Sequence, residues 1–219
     1  MSKEYKNLKD KAYHIIKEKI INCKIEPGSF INEKDLLEEI GASRTPVREA
    51  LNILESEHLV KIYAKRGIQV TDITIKDVIN IYTIREVLEP LATRLATPNI
   101  SQKALNKYYK LFQDEMNLKI EESFSIDRDF HELIVKSTNN NYLSDYLMRI
   151  YDLNNRISIL SNVKVKNRRE KDRLEHMQLI SYFLERDADK AEKFMKQHMI
   201  NGRNAALQLI NSGFGYPNI

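Results

Sequence analysis

The hydrophobic pattern of the chain changes once, at residues 72–75, and that change constrains the fold more than any other feature. Before it, apolar residues come in short runs separated by turn formers. After it, they recur at helical spacing with few breaks to residue 210. A chain written this way folds in two pieces, a small mixed piece over 1–74 and an all-helical piece over 75–219, and its class is mainly α. Its 42% apolar content supplies a sizeable core.

In the first piece, residues 5–23 place Leu8, Ala12, Ile15, Ile16 and Ile20 on one helical face, and Glu26-Pro27-Gly28 stops the helix. Phe30-Ile31 reads as a short strand. Asn32 is expected to cap a second helix, with Asp35 three positions on as a capping-box-like partner. That helix offers Leu36, Leu37 and Ile40 to a core and ends at Gly41. A third helix starts at Ser43 or Thr45, with Pro46 in its first turn. Its apolar face reads Val47, Ala50, Leu51, Leu54 and His58. Two strand-like runs follow, 59–63 and 68–71, around the cationic turn Ala64-Lys65-Arg66-Gly67.

Two short helices joined by Gly41-Ala42-Ser43 match a helix-turn-helix, and the hairpin makes it winged. Arg44 and Arg48 are four apart and share an outward face beside the free N–H groups of the helix start, a place suited to phosphate or to guanine edges. Bulk charge contributes little. Residues 1–74 carry 13 Lys+Arg against 12 Asp+Glu, and 75–219 carry 22 against 19. DNA binding therefore depends on local placement of cations. A single Ser-Arg pair is ordinary solvated surface. The combined run is far more specific: Asn-Glu-Lys-Asp-Leu-Leu at 32–37, Ile-Gly-Ala-Ser-Arg-Thr-Pro-Val-Arg-Glu-Ala-Leu at 40–51, Leu-Val at 59–60 and Arg-Gly at 66–67. It resembles the winged helix of the GntR family over residues 8–72. Ala42 departs from the Val usual there. The resemblance implies a homodimer on double-stranded DNA at a short palindromic operator, with Lys34, Arg44, Thr45, Arg48, Arg66 and Gly67 at the DNA and Ser43 among them.

In the second piece the periodicity predicts helices near 75–96, 101–121, 123–138, 141–160, 168–186 and 188–210, a bundle of about six. Three histidines fall on apolar faces of separate helices. His131 shares a face with Phe124, Asp127, Ile134 and Val135; His176 lies with Leu179, Ile180 and Phe183; His198 lies with Ala191, Phe194, Met195, Gly202 and Ala205. One inward histidine is usually just hydrogen-bonded. Three, with an inward carboxylate, are hard to satisfy pairwise and are satisfied together by one metal ion. Asp127 and His131 are i, i+4 and reach one point from one helix. Such a donor set suits Zn, Ni, Mn or Fe. His14 and His58 stand apart as structural or surface residues. Arg85 and Asn154 also interrupt apolar stripes. A buried Arg85 requires an anion, either a neighbour such as Glu86 or Glu89 or a bound carboxylate.

Asp-Arg-Asp-Phe-His at 127–131 with Ser-Thr-Asn at 137–139, Glu-His-x-x-x-Ile at 175–180, Arg186-Asp187 through to His198, and Ile84-Arg85 through Leu88-Glu89 resemble the FCD ligand-binding domain over about 75–210. With the winged helix they describe a FadR-type GntR regulator, of the VanR subgroup by its six helices. The resemblance implies a metal held by Asp127, His131, His176 and His198, Zn foremost. It also implies a small organic acid bound beside the metal; the two polar residues that interrupt apolar stripes, Arg85 and Asn154, are the ones expected to reach it. The function expected is a ligand-responsive repressor. The alternatives are a metal-dependent enzyme and a DNA-binding protein whose metal only staples the bundle. Neither HExxH nor a Gly-rich phosphate loop is present. The lone Cys23, the absence of about 18 consecutive apolar residues and an N-terminus without an apolar h-region point to a cytoplasmic protein with no membrane partner.

Overall fold

The computed structural model describes residues 5–164 and 168–211. The chain divides into two compact units, Met1–Ile73 and Thr74–Ile219.

The first unit runs α1 (Leu8–Ile21), β1 (Phe30–Ile31), α2 (Glu33–Ile40), α3 (Arg44–Ser56), β2 (Val60–Tyr63) and β3 (Gly67–Val70). It is a winged helix-turn-helix. α1 buries Ala12, Ile16 and Ile20 and packs on α3, which buries Val47, Ala50, Leu51 and Leu54. Polar bonds fix the same arrangement. Lys11 Nζ donates to the Ile40 carbonyl at 2.7 Å, satisfying an open end of α2. Tyr13 and Lys17 both hold Glu57, at 2.7 and 2.8 Å. Gly41 ends α2 in the left-handed region, φ 68°, where a side chain would strain the backbone. The sheet is antiparallel in the order β1-β3-β2, with Ile31 and Ile62 both opposite Ile68.

Two local expectations are corrected here. Asn32 caps α2 by accepting from the Lys34 amide at 3.1 Å, and the exposed Asp35 returns no reciprocal bond. His58 does not extend the apolar face of α3. The helix ends at Ser56, and His58 turns the chain in the left-handed region, φ 61°, leaving its ring exposed.

The second unit is a helical bundle: α4 (Ile75–Ala96), α5 (Gln102–Asp114), a 3₁₀ turn (Glu115–Asn117), α6 (Ile120–Lys136), α7 (Asn141–Lys164), α8 (Arg168–Leu184) and α9 (Ala188–Asn211). α4 opens on a capping box: the Asp77 amide donates to the Thr74 hydroxyl at 3.1 Å, and Asp77 Oδ2 accepts from the Thr74 amide at 2.9 Å. One apolar cluster joins α5, α6, α8 and α9 through Leu105, Phe112, Phe130, Ile134, Phe183 and Met195. Each such side chain contributes about 1.5–3 kcal/mol by leaving water. A smaller cluster of Ala92, Val135, Leu147 and Tyr151 ties α4 to α6 and α7. α9 packs most extensively on α4.

The expected helix over 101–121 is broken. Glu115 turns inward onto the Ser123 hydroxyl. Arg169 then reaches from α8 to the Glu115 and Leu118 carbonyls that the break frees. α4 also carries Ile75, Ile79, Val87, Leu91 and Leu95, all exposed and spaced by multiples of four. Val87, Leu91 and Leu95, one turn apart, form an apolar stripe along its outer face, whereas Ile75 and Ile79 lie farther round the helix.

Candidate metal centre and nucleic-acid interface

In the winged helix, the residues expected at DNA share exposure and lie at the start of α2 (Lys34), on the turn, at the start of α3 and on the wing. Ser43, Arg44, Thr45 and Arg48 are exposed around the first turn of α3, and the Ser43 side chain makes no capping bond of its own. Arg48 Nε stands 3.8 Å from Glu33 Oε2, and Lys34 Nζ the same distance from Glu38 Oε1. Exposed pairs this loose hold neither cation strongly. The β2–β3 loop turns through Lys65 at φ 68° and puts Lys65 and Arg66 at an exposed tip, followed by Gly67. The unit thus presents cations from a helix N-terminus and a hairpin tip, the two places from which a winged helix reads a duplex.

In the bundle, α6, α8 and α9 each deliver one histidine to a common point. His131, His176 and His198 are 2%, 1% and 5% exposed. His176 Nε2 lies 3.3 Å from His131 Nε2 and 3.1 Å from His198 Nε2. Each ring is held differently. His131 Nδ1 meets Glu89 Oε2 of α4 at 2.5 Å, and His198 Nδ1 meets Glu175 Oε2 of α8 at 2.5 Å. His176 is gripped by packing, stacked on Phe112 at 4.7 Å between centroids and edge-on to Phe130 at 5.5 Å. A carboxylate on Nδ1 fixes the proton there and leaves Nε2 as a bare lone pair. At least two lone pairs therefore face a third imidazole at hydrogen-bonding distance.

The electrostatics keep His176 and His198 neutral. Burial, then the neighbouring imidazoles and Arg168, hold the His176 and His198 pKa values well below the usual histidine value. Glu89 is 1% exposed, and burial alone would favour its protonation. Arg85 and His131 outweigh burial and hold its pKa down at about 2. Neutral imidazoles with converging lone pairs are a metal donor set. Tetrahedral Zn–N bonds of about 2.0–2.1 Å set ligand nitrogens roughly 3.3 Å apart, close to the spacing here. Asp127 approaches from α6 with Oδ1 3.4 Å from His176 Nε2. Its side chain stays 34% exposed toward the adjoining cavity, and burial among the helices pushes its carboxyl pKa up.

That cavity has a volume of about 430 Å³ including its open mouth, and its wall includes Arg85, Asp127, His131, Asn154 and His198. Arg85 is 4% exposed, bonds Glu89 Oε1 through Nε at 2.5 Å, and lies over the rings of Tyr82 and Tyr151. The anion that a buried Arg85 requires is therefore Glu89, not Glu86, and that carboxylate serves His131 with its other oxygen. Four features of the site escaped sequence reading. Glu175 beside His176 is the second histidine holder. Arg168 and Asp172 line the cavity as an ion pair. Tyr82 and Ser158 complete its wall. Only Glu175, adjacent to a singled-out histidine, carried a readable signal.

A winged DNA reader joined to a helical bundle with a buried polar centre defines a two-domain transcription regulator. The chain belongs to the GntR family. The family described as bacterial regulatory proteins, gntR family, matches residues 8–70, and the FCD domain matches residues 80–201. The chain is 30% identical over 191 residues to the HTH-type transcriptional regulator YdhC of Bacillus subtilis (strain 168), covering 85% of each. It is 27% identical over 197 residues to the HTH-type transcriptional repressor RspR of Escherichia coli (strain K12), covering 85% of this chain and 83% of that one. The solved structure of E. coli McbR/YncC superposes with a TM-score of 0.82 at 21% identity, over 94% of this chain and 99% of that one, a likeness of fold. These relatives are regulators, not enzymes. No helix among the described residues is long and apolar enough to cross a membrane.

Proposed function

We propose that the chain is a homodimeric, cytoplasmic repressor that leaves its palindromic operator when a small carboxylic acid binds in the bundle beside a divalent metal. The observation that carries the reading is the convergence of three buried imidazoles, of which His131 and His198, each held on Nδ1 by a carboxylate, line a cavity that Arg85 also lines. His131, His176, His198 and Asp127 would hold the metal, with Zn favoured by the imidazole donors and tetrahedral spacing, and Ni, Mn or Fe next. A bound metal would supply a fixed positive charge for an acid. Arg85 and Asn154 would orient that acid from α4 and α7.

At DNA, Lys34, Ser43, Arg44, Thr45, Arg48, Arg66 and Gly67 would make the contacts, with Arg44 and Arg48 foremost. The apolar stripe of α4 supports the dimer, because exposed Val87, Leu91 and Leu95 on one face favour burial against a second copy. Six helices among the described residues support the VanR subgroup. The route from ligand to DNA is short: Arg85 sits on α4, and α4 begins at Ile75 just after β3 ends at Val70. A coupling of about 1–3 kcal/mol suffices for a switch.

The test is a titration of metal-loaded protein on operator fragments selected from genomic DNA, with a panel of small mono- and dicarboxylates. Release by one acid, lost in Arg85→Ala while metal and DNA binding persist, is the expected result. Release by none would leave the metal as a staple of the bundle.

A further inference from the structure

The cavity wall opposite α9 carries a polar atom without a partner. Asn154, on α7, is 6% exposed. Its Nδ2 donates to Ser158 Oγ at 3.0 Å, one helical turn on. Its Oδ1 is buried with no hydrogen-bond partner, and both residues line the cavity. Ser158 accepts from Asn154, so its own proton is free to be donated. The wall thus offers an acceptor and a donor side by side. An amide oxygen buried without a partner is costly, and native proteins leave few such atoms unless a ligand or water completes them.

The group that complements this pair is a hydroxyl. Its proton satisfies Asn154 Oδ1 and its lone pairs accept from Ser158. A carboxylate or ketone oxygen brings no proton for Asn154, and a methylene leaves both wall groups unmet. Elsewhere on the wall, Arg85 and the histidine cluster offer positive or metal-binding character. Arg168 is engaged with Asp172 and Glu175.

We propose that the acid taken by this cavity is a hydroxylated carboxylic acid, with Asn154 and Ser158 as the residues that read its hydroxyl. The proposal rests on the acid-sensing reading of the same site. A site built around a hydroxyl rejects the analogue lacking it more strongly than a hydrophobic pocket rejects a missing methylene.

Calorimetric titration of the zinc-loaded full chain with matched pairs tests this: lactate against propionate, 2-hydroxybutyrate against butyrate, malate against succinate. The hydroxylated member of at least one pair should bind about 10- to 100-fold tighter. Asn154→Leu, close in volume, should erase most of that ratio by weakening the hydroxylated acid far more than its deoxy analogue. Ser158→Ala gives the same readout should the Leu variant fail to fold. Equal binding of both members of each pair overturns the hydroxyl assignment and leaves the acid sensor standing; binding of no acid overturns both. A preference that survives both substitutions also overturns it, because the hydroxyl is then held elsewhere, as by the metal.

Discussion

Glu89→Gln and Glu175→Gln remove equivalent charges from two histidines, yet the structure assigns them different consequences. Each carboxylate accepts from a histidine Nδ1 at 2.5 Å and so sets the tautomer that frees Nε2. Either substitution should therefore weaken metal binding by about 10- to 100-fold, the usual loss when a partner behind a ligand is removed. Stability separates them. Glu175 is 17% exposed and is also held by Asn201 at 2.8 Å. Its loss should change the metal-free fold by no more than about 1 kcal/mol. Glu89 is 1% exposed and neutralises Arg85, itself 4% exposed, on the same helix. Removing it leaves a buried charge unpaired, a cost of about 3–5 kcal/mol. For a chain of this length that corresponds to a fall in Tm of roughly 6–20 °C. The assay pairs competition against a chromogenic chelator with thermal unfolding of chelator-stripped protein. Equal Tm losses in the two variants, or none in Glu89→Gln, would refute the view that Glu89 serves two masters, Arg85 and His131.

Arg44→Ala and Arg48→Ala should weaken operator binding without loss of fold or metal, and discrimination should fall by about 1–3 kcal/mol at any base that either reads; unchanged affinity in both removes α3 from the interface. Gly202→Ala places a Cβ 3.1 Å from the Tyr82 ring, so Tyr82 must shift at the cavity wall. The gain in helix propensity, about 1 kcal/mol, offsets that strain, and acid binding should fall while Tm and metal content hold, as calorimetry and unfolding would show. Val87→Glu combined with Leu91→Glu places charges in the apolar stripe of α4 and should convert dimer to monomer in analytical ultracentrifugation.

Much of the fold was legible because its signals are local. Thr74 and Pro98 bracket α4, and the expected span 75–96 is the observed helix. The three histidines stood out because each interrupts an apolar stripe within its own helix. What could not be read is what passes between helices. Glu89 meets His131 from 42 residues away and Glu175 meets His198 from 23. Periodicity gives the face a residue occupies, not its partner across the bundle. The break after Asp114 was hidden for the same reason, since the Arg169 that satisfies its carbonyls lies on α8. Asp35 shows the opposite error. Its spacing from Asn32 suited a capping box, but Asp35 stays exposed and returns no bond to the Asn32 amide.

The metal centre is tested most directly by elemental analysis of the wild type purified without chelator, beside His131→Ala, His176→Ala and His198→Ala. Three buried imidazoles with converging Nε2 atoms predict about one divalent ion per wild-type chain and a strong loss in each variant, with Tm falling alongside because the ion binds the folded state. Wild-type protein that holds no metal even after loading, with a Tm matching its chelator-treated form, would contradict the account.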